Sequence, residues 1–243
     1  MTEKLSTLIL LPNLLHEEEV DFRHFLPMIV EEKVLSLDGI IAESEKAARR
    51  YLKRFTYPEG RSFREVPIRL LNEHTVSADL EELLAPVLKG ERWGLISDAG
   101  LPCLADPGAN LVALARLKKI KVEAVSGPSS LFLALMLSGL SAQRFWFYGY
   151  LEREPALLRS EIKKLEKESL QQKTTLLCIE APYRSQALFQ ALVQELDPSS
   201  KLSVCVNLTA SDEQVSTFSV KEWRKLSPPD LHKKPVIFVF AAR

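Results

Sequence analysis

Residues 97–108 read SDAGLPCLADPG, directly behind the apolar run WGLIS at 93–97. Two glycines, two prolines and two aspartates in twelve residues extend neither a helix nor a strand, so the stretch is a rigid loop at the carboxyl end of a strand. That is the end at which a parallel sheet collects its ligands. Gly100 and Gly108 let backbone approach a ligand closely, Pro102 and Pro107 fix the path, and Asp98 and Asp106 can accept from hydroxyls or amines. Asp106 has a second reading, as the cap of a helix that opens at Pro107.

Outward from this loop, short β-rich runs alternate with segments of helical period. Residues 7–11 (TLILL), 39–42 (GIIA), 66–71, 93–97 and 122–125 read as buried strands, continuous in apolar content as a parallel sheet requires. Between them, 44–55 (SEKAARRYLKRF) starts on a serine cap with charges alternating at i, i+4, and 77–88 (SADLEELLAPVL) repeats the serine start with acids in its first turn. Strands separated by single helices imply right-handed crossovers and a mainly parallel five-stranded sheet. A second block begins at Arg144: an aromatic strand at 145–150 (FWFYGY), a charged helix at 155–172, a strand at 174–180, and a helix at 183–196 between Pro182 and Pro198. Strands at 202–206, 214–220 and 235–241 follow with little helix between them, which suggests antiparallel neighbours and a mixed sheet. The expected fold class is therefore α/β in two domains, 1–143 and 144–243.

A second loop, SGPSS at 126–130, follows the strand at 122–125 and opens the apolar helix LFLALMLSGL. Gly127 turns the chain and Pro128 suits a first helical position. The hydroxyls of Ser129 and Ser130 either face a crevice or simply cap the helix. Neither loop is G-x-G-x-x-G, and the first strand runs into Pro12-Asn13 without a glycine. A Rossmann dinucleotide site and a P-loop are both unsupported.

With 243 residues, 46% hydrophobic and 26% charged, the chain has globular composition and length enough for two cores; disorder and collagen-like repeats are excluded. Lys+Arg and Asp+Glu are 32 each, so nucleic acid would have to be met by a local patch rather than by a field over the whole protein. Lys46, Arg49, Arg50, Lys53 and Arg54 line one helix with Arg61 and Arg64 close behind, either a landing patch for phosphates or a solvated face. Cys103, Cys178 and Cys205 stand far apart, and His16, His24, His74 and His232 show no ligand spacing, so no metal is expected. No run approaches ~18 apolar residues, and the expectation is a soluble cytoplasmic chain without a membrane segment.

These motifs resemble those of the tetrapyrrole methylase superfamily of S-adenosylmethionine-dependent methyltransferases. Within it the chain is most similar to the branch that methylates a ribose 2′-hydroxyl of small-subunit ribosomal RNA. That branch carries an S-D-A-G-x-P-x-x-x-D-P-G loop, matched at 97–108, and a P-G-P loop matched at 126–128. Its A-E-D-T-R turn corresponds to AESEK at 42–46, its histidine to His74, and its Y-E-S-x-x-R turn to IEAPYR at 179–184. After the first strand the branch has T-P-I-G-N-L, where this chain has LPNLL at 11–15. The resemblance implies a homodimer of two-domain subunits with S-adenosylmethionine in the cleft between the domains. Implied cofactor contacts are Pro12, Ser97, Asp98, Ala99, Gly100, Ser129, Ser130, Ile179, Glu180, Asn207, Leu208 and Thr209. Glu43, His74 and Asp98 are the candidates for taking a proton from an acceptor hydroxyl, with Glu180 a further one. Arg184 would grip a phosphate or pair with Glu180 across the turn. The acceptor would be ribosomal RNA or the small subunit, with a small tetrapyrrole-like molecule as the enzymatic alternative. A non-catalytic module that binds S-adenosylmethionine or S-adenosylhomocysteine is the third reading.

Overall fold

All five apolar runs of the first block form strands in the computed structural model, which describes residues 6–16, 21–72, 74–76 and 78–243. They are β1 (Thr7–Leu10), β2 (Gly39–Ala42), β3 (Ile68–Leu70), β4 (Arg92–Leu95) and β5 (Lys121–Ala124), in the order β3-β2-β4-β1-β5. Every pairing in this sheet is parallel. The intervening helices are α1 (Ile29–Leu35), α2 (Glu45–Lys53), α3 (Asp79–Leu88) and α4 (Ala109–Leu117).

Strand order and side-chain alternation together decide where this sheet can bind anything. Ile9, Ile40 and Ala42 face α1 and α2 in one core with Val30, Val34, Tyr51 and Leu52. Leu8, Ile41, Trp93 and Leu95 face α3 and α4 in another, with Leu84, Val87, Leu111 and Ala115. After β1 the chain therefore leaves to one face of the sheet, and after its neighbour β4 it leaves to the other. Loops that part in this way open a crevice at the carboxyl ends of the two strands, the topological switch point of a parallel sheet.

Local chemistry explains most element ends. Ser44 caps α2 by accepting from the Ala47 amide at 3.2 Å. In α3, Pro86 has no amide to give Glu82, and the Arg69 guanidinium donates to that Glu82 carbonyl instead. The expected serine start of α3 falls on Ser77, outside the described residues; the helix begins at Asp79, whose carboxylate accepts from the Val76 amide at 3.1 Å.

The chain divides into two compact units, Met1–Ser129 and Ser130–Arg243. The second unit opens with α5 (Ser130–Leu137) and contains β6 (Phe145–Tyr150), α6 (Pro155–Gln172), β7 (Thr175–Glu180), α7 (Ser185–Glu195), β8 (Lys201–Val206), β9 (Gln214–Ser219), α8 (Val220–Trp223) and β10 (Val236–Ala241). Its sheet runs β6-β7-β10-β8-β9, parallel between β6 and β7 and antiparallel elsewhere, the mixed sheet expected from strands that lack crossover helices. Leu158, Ile162 and Leu165 of α6 and Leu188, Phe189 and Leu192 of α7 pack on Leu176, Leu202, Val204, Phe238 and Phe240. No described helix is long and apolar enough to cross a membrane.

Candidate functional site

At the switch point the chain turns out of β1 through Pro12 into Asn13, a residue only 2% exposed. An amide buried that deeply must find partners for all its polar atoms, and Asn13 does. Its Nδ2 donates to the carbonyls of Ser97 at 3.0 Å and Asp98 at 2.9 Å. Its Oδ1 accepts from the Leu14 amide at 2.9 Å and from Arg54 Nη1, just beyond α2, at 2.6 Å. The backbone adds two further bonds, Asn13 N to Gly100 O at 2.7 Å and Gly100 N to Leu14 O at 3.3 Å. The loop after β1 and the loop after β4 are thus tied together side chain to backbone and backbone to backbone.

Within 97–108 the backbone takes shapes that side chains disfavour. Cys103 and Ala105 sit in the left-handed region at φ 68° and 66°, each a cost of roughly 1–2 kcal/mol. Gly108, at φ 134°, has no room for a side chain, since a Cβ there would stand 2.6 Å from Cys103 Sγ. The helix after it, α4, uses Gly108 as its N-cap and receives no side-chain cap bond. The capping reading of Asp106 therefore does not hold, and its carboxyl turns to other neighbours.

Those neighbours are acidic. Burial pushes the Asp106 carboxyl up to about 6, helped by the charges of Glu43 and Asp98, while the nearby Ser97 hydroxyl pulls the other way. Glu43, at the end of β2, is also raised, by burial first; its Oε1 accepts from the Asp98 amide at 3.1 Å, which opposes the rise, and the Asp98 charge adds to it. Ser97 Oγ donates to the Ala99 carbonyl at 2.8 Å. Glu43, Ser97, Asp98, Ala99 and Asp106 therefore share one neighbourhood around the fixed loop. His74 is exposed on the turn after edge strand β3, and its neighbours Asn72 and Thr75 line one cavity with Asp106 and Gly108.

The loop after β5 closes on the other side of β1. A Cβ on Gly127 would lie 2.1 Å from Pro12 Cβ, so only glycine lets the two loops touch. Ser129 is buried beside it, and Ser130 opens α5.

In the second unit, Glu180 ends β7 with its side chain 2% exposed, and its Oε2 lies 3.3 Å from Arg184 Nη2. This contact lacks hydrogen-bond geometry, because Oε2 has no hydrogen-bond partner, so it is a charge pair across the turn. Oε1 accepts from the Ala181 amide at 2.8 Å. Asn207 and Thr209, on the turn after β8, hold left-handed backbone at φ 49° and 72° around buried Leu208. Their bonds to Asp212 and Glu213, both 2.7 Å, fix that turn.

Much of the basic stripe is internal. Arg49 donates to the carbonyls of Phe63 at 2.9 Å and Val66 at 2.8 Å, and Arg61 donates to Leu35 O and Leu37 O. Arg54 is committed to Asn13, and Arg64 lies over the Phe63 ring. Lys46 and Lys53 remain exposed. Among the described residues no group of His, Cys, Asp or Glu is arranged to hold a metal.

A family model described as tetrapyrrole (corrin/porphyrin) methylases matches residues 32–223. The chain belongs to this family. The S-adenosylmethionine-dependent methyltransferase class implied by the 97–108 motif is that of the tetrapyrrole methylases. The chain is 36% identical over 145 residues to "Ribosomal RNA small subunit methyltransferase I" of Xylella fastidiosa, covering 60% of this chain and 49% of that protein. It is 31% identical over 183 residues to the Synechocystis protein of the same name, covering 75% of this chain and 62% of the relative. The matched part of this chain thus spans between about half and three-fifths of those relatives' length. The crystal structure of the methyltransferase CobJ shares the fold, at TM-score 0.59 and 12% identity over 97% of this chain and 93% of that one.

Sequence reasoning gave Asn13 no role and placed Arg54 only in the basic stripe, although the two tie the loop after β1 to α2 and to the 97–100 loop. The available signal was the lone amide in LLPNLL, a polar side chain among leucines directly behind a buried strand.

Proposed function

We propose that this chain transfers the methyl group of S-adenosylmethionine to ribosomal RNA of the small subunit, at a ribose 2′-hydroxyl. The observation that carries the reading is the loop at 97–100, held rigid at the switch point beside Glu43, Asp98 and Asp106. Three carboxyl groups gathered there, two of them raised by burial first and then by neighbouring carboxylate charge, Asp98 on Glu43 and both Glu43 and Asp98 on Asp106, are relieved by a cation. The positive sulfur of the donor is such a group, so the residues present fit it. The relatives' name supplies the acceptor class.

The donor-binding residues proposed are Pro12, Ser97, Asp98, Ala99, Gly100 and Ser129 of the first unit, with Ser130, Ile179, Glu180, Asn207, Leu208 and Thr209 of the second. When bound, S-adenosylmethionine supplies an activated methyl group on sulfur. The chain's task is then to hold the acceptor oxygen about 3 Å from that methyl and in line with the sulfur. Glu43 or Asp98 would take the proton of the acceptor hydroxyl, with His74 the remaining candidate. Lys46 and Lys53 are the phosphate contacts proposed on α2. The working form is a cytoplasmic homodimer, for which edge strand β6 offers exposed aromatic side chains, Trp146 at 43% and Tyr150 at 63%.

Calorimetry with S-adenosylmethionine and S-adenosylhomocysteine tests the donor site, and absence of binding to both by folded protein removes the proposal. Labelled methyl transfer to unmodified small ribosomal subunits tests the acceptor. Incorporation into a porphyrinoid instead assigns the small-molecule alternative, and binding without incorporation into either assigns the non-catalytic module. Light scattering of the purified chain reads the dimer directly.

A further inference from the structure

Resting on the donor-binding reading above, we infer that Asn13, held in place by Arg54, is the positioning residue that sets the ligand-binding form of the 97–100 loop. The carboxamide of Asn13 uses its whole hydrogen-bonding capacity, two donors and two acceptor positions, inside the protein. Only one orientation works: turned over, the oxygen would face the Ser97 and Asp98 carbonyls and the NH2 would face the Leu14 amide and the Arg54 guanidinium.

The bonds fall on the peptides that carry the proposed donor contacts. Fixing the carbonyls of Ser97 and Asp98 fixes the rotation of the peptide planes at 97–98 and 98–99, and with them the direction of the Ala99 amide and the Asp98 carboxyl. The same planes hold the Asp98 amide on Glu43. The loop continues into left-handed Cys103 and Ala105, conformations that relax unless neighbouring structure holds them. Arg54 has a role distinct from the rest of its basic stripe. Arg49 also bridges α2 to backbone carbonyls, but to those of Phe63 and Val66, remote in sequence from the loop. Arg49 therefore serves as an internal comparison, a guanidinium of similar burial with a structural task only.

The experiment compares Asn13→Asp, Asn13→Ala, Arg54→Lys, Arg54→Met and Arg49→Met in the full chain. For each, calorimetry gives the Kd for S-adenosylmethionine and S-adenosylhomocysteine, and thermal melting gives the stability. Asn13→Asp keeps the shape of the side chain and points carboxylate oxygens at two carbonyls, so a loss of at least 30-fold in affinity for both ligands is expected. Arg54→Met is expected to lose about 10-fold, and Arg54→Lys, which keeps one donor, about 3-fold. Arg49→Met should melt earlier while binding both ligands within 2-fold of the parent. On methyl transfer, the Arg54 variants should raise the KM for the donor more than they lower kcat. Should Asn13→Asp not fold, the Arg54 series decides alone. The inference is overturned if the Asn13 or Arg54 variants lose only stability and bind like Arg49→Met. A parent chain that binds neither ligand overturns the donor reading itself, a result distinct from equal binding by parent and variants.

Discussion

Asp106 carries the sharpest consequence at the scale of one residue, because its carboxyl keeps a proton up to about pH 6 in the folded chain and only to about pH 4 once unfolded. Between those values the folded state binds the extra proton. The contribution of Asp106 to stability is therefore greatest below about pH 4, falls as pH rises to about 6, and stays lower above it. A gap of that size in a dry site would amount to about 3 kcal/mol; Asp106 is partly open to water, and screening reduces this to roughly 1 kcal/mol. Asp106→Asn is thus expected to match the parent near pH 4 and to exceed it by about 1 kcal/mol at pH 7.5, read from urea midpoints at the two pH values. An equal midpoint at pH 7.5 would refute the assignment. The groups facing Asp106 are Glu43, Asp98 and the Ser97 hydroxyl, and the Cys103 thiol is itself pushed up, by burial first and then by the Asp106 charge. Ionised Asp106 also adds negative charge beside the proposed position of the positive sulfur. The preference for S-adenosylmethionine over neutral-sulfur S-adenosylhomocysteine should therefore grow from pH 5 to pH 7.5 in the parent and stay flat in Asp106→Asn. In the sequence, the composition of 97–108 announced a rigid binding loop, but not which aspartate was free. A cap and a half-buried acid look alike until Gly108 is seen to start the helix unaided.

Helices and strands divide more cleanly into what periodicity reveals and what it hides. β1, β2, β4, β7 and β10 stood out through apolar continuity, α2 through its serine cap and α6 through Pro155 at its start; β3 and β5, expected as buried strands, are edge strands whose residues are half-buried or exposed. α1 did not stand out, because its N-cap is Met28, with no side-chain bond to mark a beginning. Likewise the turn at 182–184 delays α7 to Ser185, three residues past the proline that suggested its start. The stripe on α2 shows a different limit: periodicity tells which cations share a face, but not what each one holds. Lys46 and Lys53 point outward, whereas Arg49 and Arg54 are spent on carbonyls and on Asn13. If α2 meets RNA phosphates, replacing Lys46 and Lys53 with Gln should lower the slope of log affinity against log salt by about one for each phosphate no longer neutralised, with the melting temperature unchanged. Filter binding to a small-subunit RNA fragment at several salt concentrations reads that slope, and an unaltered slope leaves the two lysines as ordinary solvated charges.

Across the whole molecule, the alternation of strands and helices was enough to foresee a parallel sheet followed by a mixed one, because crossover helices are present between early strands and absent between late ones. Strand order was not legible, since a right-handed crossover can step across one strand or two. That order makes β1 and β4 neighbours whose exits part to opposite faces, and it is why Asn13 and residues 97–100 meet at all. The two units have separate cores, so a ligand that touches only one of them would stabilise that one alone. Hydrogen exchange with and without S-adenosylhomocysteine at about 100 times its Kd distinguishes the cases. A ligand held at that excess adds about 2.7 kcal/mol to whatever folded state binds it, enough to slow the exchange of amides that open with that unit by about a hundredfold. If Ile179, Glu180 and Asn207 to Thr209 bind alongside Ser97 to Gly100, amides in β7 and β8 should slow together with those in β1 and β4. Protection confined to β1, β4 and the loop at 126–129 would restrict the donor site to the first unit and remove the second-unit residues from it.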